Sequence, residues 1–180
     1  MKAKVFWLTG LSGSGKSTVC ESVVQKLRQK NITVKVIDGD DVRNEFHQDL
    51  GFEFEDVKKN NLLIVELIKK YEKDFQVILV PVIAPYQRVR LQIKQALKDN
   101  LYLIYCDADL NTVIDRDVKG LYTKAKNGVI DNMIGFSRGY PYEKPQDPDL
   151  VLSTGMGIDF LTRTVDKFLA FILEKIKTDF

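Results

Sequence analysis

Five short stretches of the chain are dominated by apolar residues: 4–9, 33–37, 76–82, 101–106 and 149–152. Most are rich in Val and Ile and run apolar without alternation, as strands covered on both faces must. Between them lie segments with helical periodicity: 16–28, 56–72, 86–98, 110–116 and 158–177. In 56–72, Leu62, Leu63, Val65, Leu67 and Ile68 carry an apolar stripe, and Lys58, Lys59, Lys69 and Lys70 surround it. Strand alternating with helix predicts an α/β fold: a three-layer sandwich whose five-stranded, mainly parallel sheet has helices on both faces. The stretch 117–148 breaks the alternation. It holds three of the five prolines and several glycines, with basic and aromatic residues between. A segment that long is not a passive connection in a compact domain, so it is expected to act as a lid.

Composition narrows this picture only a little. At 180 residues one domain spanning 1–180 is expected. A net charge of +2 gives no argument for nucleic acid or a membrane surface as partner, and none is expected. The longest apolar run, 77–84, is far short of the ~20 residues a membrane helix needs. The chain opens Met1-Lys2-Ala3-Lys4 and passes straight into a strand, so no signal peptide is expected. Cys20 and Cys106 have no metal-like spacing, which suits reduced thiols in a cytoplasmic protein.

The chemistry begins behind the first strand. Residues 10–17, Gly10-Leu11-Ser12-Gly13-Ser14-Gly15-Lys16-Ser17, satisfy G-x-x-x-x-G-K-[ST] at every fixed position. Glycines let the backbone curl so that successive N–H groups face one anion, and the following helix adds the positive end of its dipole. Lys16 is expected on the β- and γ-phosphates of a nucleoside triphosphate, the Ser17 hydroxyl on Mg²⁺, and Thr18 next to the same phosphates. No NKxD-type guanine signature is present, and the chain is too short for a motor's machinery. A small-molecule kinase with a basic lid fits best.

The second strand ends in "VIDGDDVR", residues 36–43. A kinase needs a carboxylate that orients the acceptor hydroxyl and accepts its proton, and an acid near Mg²⁺. Asp38 and Asp40, two apart, would point the same way on an extended strand. Asp40 or Asp41 could instead cap the next helix. Arg43 could bind an acceptor phosphate or pair with Glu45 or Asp49.

With these motifs in view, the sequence resembles the adenylylsulfate kinase family. The matching stretches are "GLSGSGKST", "DGDDVR", "DLGF" at 49–52, "APYQRVR" at 84–90, "RDVKGLYTKAKNG" at 116–128 and "PYEKPQDPDLVLST" at 141–154. They follow family order and spacing over nearly the whole chain. The resemblance implies a P-loop kinase fold, ATP and Mg²⁺, a homodimer, and phosphorylation of the 3′-hydroxyl of a ribonucleotide. It places Asp40 at the acceptor-side aspartate, Arg43 and Asn60 at acceptor-binding positions, and Phe52 at an aromatic that stacks on the acceptor's base. Lys119, Gly120, Leu121 and Tyr122 match the lid segment that closes over both nucleotides.

The sequence also departs from the family pattern. An Arg usual a few residues after the DLGF phenylalanine is Val57 here. The S-P-[YF]-R motif reads Ala84-Pro85-Tyr86-Gln87. The lid's F-T-G-I reads Met133-Ile134-Gly135-Phe136, which puts Met133 at a second base-stacking position. The ATP-side motifs are intact, so the changes cluster on the acceptor side. Losing an Arg removes a charge-assisted fork to a phosphate or sulfate oxygen, typically ~1.5–3 kcal/mol. The expectation is therefore a relative with a changed acceptor, similar to those of bacterial capsule phosphoramidate pathways, with cytidine diphosphoramidate as acceptor. The alternative is ordinary adenylylsulfate. A rival of another class is an ATP-binding regulatory module that transfers nothing, and a shikimate- or nucleoside-monophosphate-type kinase would lack "KGLY" and "PYE.P".

The remaining conspicuous residues have plainer readings. His47, the only histidine, is expected at the surface, the two cysteines and Trp7 in the core, and Lys124 and Lys126 as exposed lid charges. Arg116 could stabilise the transferring phosphoryl or pair with Asp115 or Asp117, and Arg138 could reach a phosphate.

Overall fold

A computed structural model describes residues 2–46, 50–154 and 158–177. His47 and Asp49, on which two of the expectations above fall, lie outside the described residues. The central strand β1 (Lys4–Thr9) shows why its run is continuously apolar. Phe6 and Leu8 point into one core, with Val19, Val23 and Leu27 of α1 (Lys16–Gln29) and Phe168 and Ile172 of α7 (Ile158–Lys177). Val5 and Trp7 point into the other, with Ile64 and Ile68 of α3 (Phe54–Tyr71) and Val89 and Ile93 of α4 (Gln87–Leu97). All four β1 side chains are at most 1% exposed. Burying each large one contributes roughly 1.5–3 kcal/mol, and alternation along one strand stitches the two layers together.

The other strands are β2 (Val34–Val36), β3 (Val77–Pro81), β4 (Leu101–Asp107) and β5 (Leu150–Ser153), in the order β2-β3-β1-β4-β5. Every pairing is parallel, so the predicted sheet is present and wholly rather than mainly parallel. From β1 the chain moves to one side for β2 and β3, then crosses to the other for β4 and β5. The carboxyl end of β1 is thus a switch point where a crevice opens.

Two further helices carry no strong apolar stripe: α2 (Gly39–Phe46), which buries only Gly39 and Val42, and α6 (Leu121–Lys126) in the lid. The first corrects the extended placement of Asp38 and Asp40. Strand β2 stops at Val36; the Asp38 carboxylate then accepts the Asp40 N–H at 2.8 Å, and the Asp38 carbonyl accepts the Val42 N–H at 3.1 Å. Asp38 therefore caps α2, and Asp40 sits in its first turn. Helix α5 (Leu110–Arg116) is capped likewise by Asp109, which accepts the Thr112 N–H at 2.9 Å. Among the described residues no helix is long and apolar enough to cross a membrane.

Candidate active site

The loop after β1 is shaped by contacts that only certain residues permit. At Gly10 an added Cβ would stand 2.6 Å from both the Cys106 carbonyl oxygen and the Ser14 hydroxyl oxygen. The loop therefore presses against β4 closely enough to exclude any side chain there. Gly15, left-handed at φ 86°, turns the chain into α1. Lys16 folds back and donates to the carbonyls of Gly10 (2.9 Å) and Leu11 (2.8 Å). It is buried, and that burial lowers its ammonium pKa to about 8; nearby Lys119 adds to this, and Asp40 and Asp38 partly offset it. The Ser17 hydroxyl donates to the Asp38 carboxylate at 3.2 Å.

The loop opens onto a cavity of about 810 Å³. Ser12, Gly13, Gly15, Lys16, Ser17 and Thr18 of the loop and the start of α1 line it. Gly10 and Ser14 do not line it; they hold the loop's curvature from behind. Asp38 and Asp40 reach the cavity from the start of α2, and Lys119 from the lid, paired with the Asp40 carboxylate. Phe52, Val57, Asn60 and Met133 line it as well. Leu121 also lines the cavity, whereas Gly120 serves only as the left-handed turn (φ 65°) into α6.

Arg43 lines the cavity with its guanidinium already engaged. It donates to the carbonyls of Leu50 (2.9 Å) and Gly51 (2.6 Å) and lies 4.6 Å over the Phe52 ring. Burial lowers its pKa, with Asp40 and Asp56 opposing. Arg43 thus braces the loop that carries Phe52. Arg116 bridges elements: it donates to the Gly13 carbonyl (3.2 Å) and the Thr154 carbonyl (2.6 Å), tying the phosphate loop to the end of β5. Gln87 does not line the cavity; its side chain accepts from Arg90, which also donates to the Ala84 carbonyl. Arg138, Lys124 and Lys126 are exposed and off the cavity, and both cysteines and Trp7 are buried.

The lid is docked rather than loose. The Tyr122 hydroxyl donates to the Ser12 carbonyl at 3.0 Å, and Asp117 accepts the N–H groups of Tyr122 (2.9 Å) and Thr123 (2.8 Å). Further on, the Tyr142 hydroxyl bonds the Thr9 hydroxyl at 3.0 Å, and the Glu143 N–H donates to the Pro85 carbonyl at 2.9 Å. Asn61 and Thr164 also line the cavity, unforeseen from sequence. Asn61 had a legible signal, a polar residue inside the apolar stripe of α3; Thr164, on α7, had none.

Among the described residues no group of three His, Cys, Asp or Glu side chains could enclose a metal ion. The Ser17 hydroxyl beside the Asp38 carboxylate is a different kind of donor set, hard oxygens few in number. It fits a Mg²⁺ that keeps water and takes its other ligands from phosphates.

Comparison with known proteins agrees with this geometry. The family model for adenylylsulphate kinase matches residues 2–153. The adenylyl-sulfate kinase of Bacillus licheniformis is 41% identical over 155 residues, covering 86% of this chain and 78% of that protein. The structure of the Mycobacterium tuberculosis APS kinase CysC in complex with AMPPNP and APS superposes with a TM-score of 0.87 at 33% identity, over 96% of this chain and 98% of that one. Shikimate kinase from Acinetobacter baumannii has a TM-score of 0.60 at 13% identity, covering 96% of this chain and 94% of that one, a likeness of fold alone. A phosphate loop, a facing carboxylate and a lid thus stand on a scaffold whose sequence kinship is specific, and the chain belongs to the adenylylsulfate kinase family of ATP-dependent phosphotransferases that act on a hydroxyl group.

Proposed function

We propose that this chain transfers the γ-phosphoryl group of ATP to the ribose 3′-hydroxyl of a small ribonucleotide, with adenylylsulfate as the acceptor that its relatives' names support. The observation that carries this reading is the single cavity shared by the phosphate loop, Asp40 and Lys119. The loop's amides hold the β- and γ-phosphates, and Lys16 exchanges its bonds to the Gly10 and Leu11 carbonyls for phosphate oxygens. Asp40 orients the hydroxyl and accepts its proton as the new O–P bond forms and the γ-phosphorus parts from ADP. Lys119, beside Asp40, supplies positive charge where charge gathers on the transferring group. Ser17 and Asp38 would hold Mg²⁺, which would screen the phosphate charge when bound. On the acceptor side the reading assigns Phe52 to the base, and Asn60 to the acceptor's polar groups. Residues 117–148 act as the lid of a single domain and exclude the competing acceptor, water.

A second reading rests on one observation: Val57 and Met133, two of the departures from the family pattern, line the cavity. An apolar Val in place of an Arg, and an adaptable Met in place of a Phe, favour an acceptor with a smaller base and no sulfate, such as cytidine diphosphoramidate. The comparisons support adenylylsulfate and give cytidine diphosphoramidate no backing.

Steady-state assay of both acceptors with ATP, and mass analysis of the 3′-phosphorylated product, tests the two readings together. A higher kcat/KM for adenylylsulfate supports the first. A higher value for cytidine diphosphoramidate supports the second. Tight ATP binding with transfer to neither contradicts both.

A further inference from the structure

Ile83, Ala84 and Pro85, in the segment that follows β3, line the 810 Å³ cavity. Ala84 holds a left-handed backbone, φ 40°, that a residue with a Cβ rarely adopts. Such a conformation persists only where the surroundings over-determine it. Here all three carbonyls of the segment are claimed by residues outside the cavity. The Thr9 hydroxyl donates to the Ile83 carbonyl, Arg90 Nη1 to the Ala84 carbonyl at 2.8 Å, and the Glu143 N–H to the Pro85 carbonyl at 2.9 Å. Thr9, Arg90 and Glu143 do not themselves line the cavity. Arg90 joins these contacts to one another. It sits in the first turn of α4 and is 4% exposed. Its Nη2 donates to the Glu143 carbonyl at 2.7 Å and to Gln87 Oε1 at 2.7 Å, and its Nε donates to the same Oε1 at 3.2 Å. The Gln87 N–H in turn donates to the Glu143 carboxylate. A lysine would carry the charge but not the fork that reaches two carbonyls and an amide at once. Gln87 stands where the family pattern has an Arg, and an Arg there could not accept these bonds.

We infer that Arg90, oriented by Gln87, is a positioning residue for the phosphoryl acceptor: it holds Ala84 in its left-handed turn and so sets the wall against which the acceptor lies, without touching the acceptor itself. The same guanidinium ties that wall to the far end of the lid at Glu143. This deepens the proposed function and rests on it.

The test compares wild type, Arg90→Lys and Gln87→Leu in two measurements. One is kcat/KM for whichever of adenylylsulfate and cytidine diphosphoramidate wild type turns over faster; the other is the calorimetric Kd of ATP. In Arg90→Lys, kcat/KM for the acceptor should fall about tenfold or more, with the Kd of ATP within about twofold of wild type. Gln87→Leu should lower the same kcat/KM by about threefold, again without moving ATP affinity. A residue that only supports the fold would lower the Tm and leave both quantities, per folded molecule, where they are. A wild-type kcat/KM in a folded Arg90→Lys overturns the inference, and so does an equal weakening of ATP affinity. If Arg90→Lys does not fold, Gln87→Leu decides, and a wild-type kcat/KM there overturns the inference. If wild type transfers to neither acceptor, the kinase reading fails by itself. The Kd of adenylylsulfate for the ADP-loaded protein then replaces kcat/KM with the same ratios expected, and no binding to wild type overturns the inference as well.

Discussion

Lys16 is the residue whose environment makes the sharpest prediction. Its ammonium is buried and held only by two carbonyls, and burial brings its pKa down to about 8. The protonated form is the one that attracts phosphate. ATP affinity should therefore hold steady below about pH 8 and weaken as pH rises through it, and calorimetry between pH 6 and 9.5 would show it. In the ATP complex the phosphates restore the charged form, so the inflection in kcat should lie higher than that in kcat/KM. Stability runs the other way. The folded state releases this proton more readily than the unfolded chain, so Lys16 adds stability as pH climbs from about 8 toward the ordinary lysine value of 10.5. A pH-independent ATP affinity across that range would mean that Lys16 does not meet the phosphates.

At the scale of elements, the lid shows how a short helix is made from little. Helix α6 has six residues and too small an apolar face to hold itself. Asp117 accepts two of its amides, and hydrogen bonds to Thr123 and Tyr122 keep the Asp117 carboxyl below the usual carboxylate range. The cap is present above the ordinary carboxylate pKa and is lost as pH falls through the lowered one. Asp117→Ala should speed amide exchange at Tyr122 and Thr123 by roughly fivefold or more, and lower kcat/KM through a less fixed Lys119, while ATP affinity changes little. Exchange rates equal to wild type would place the lid's order elsewhere. This element also marks where the sequence stopped being legible. The apolar runs of β1, β3 and β4 announced themselves because both faces are buried. By contrast, α2 and α6 are specified by capping carboxylates, Asp38 and Asp117, whose side chains look like site residues or loop residues until the backbone turns beneath them.

Across the whole molecule, the fold brings together groups far apart in sequence: Lys16 behind β1, Asp38 and Asp40 behind β2, Asn60 on α3 and Lys119 in the lid. The phosphate end was legible because backbone geometry demands a fixed pattern of glycines, and Gly10 against Cys106 shows that demand directly. The acceptor end was legible only in part. Arg43 is engaged with the carbonyls of Leu50 and Gly51, Gln87 with Arg90, and Arg116 with Gly13 and Thr154, and no spacing along the chain reveals such partners. In the proposed reaction Asp40, facing the phosphate loop, readies a sugar hydroxyl for the γ-phosphoryl. Single-turnover transfer from labelled ATP, with Asp40→Asn against wild type, measures it most directly. Transfer should be slower by about 100-fold or more, with ATP affinity within about threefold of wild type; transfer at the wild-type rate would remove Asp40 from that role.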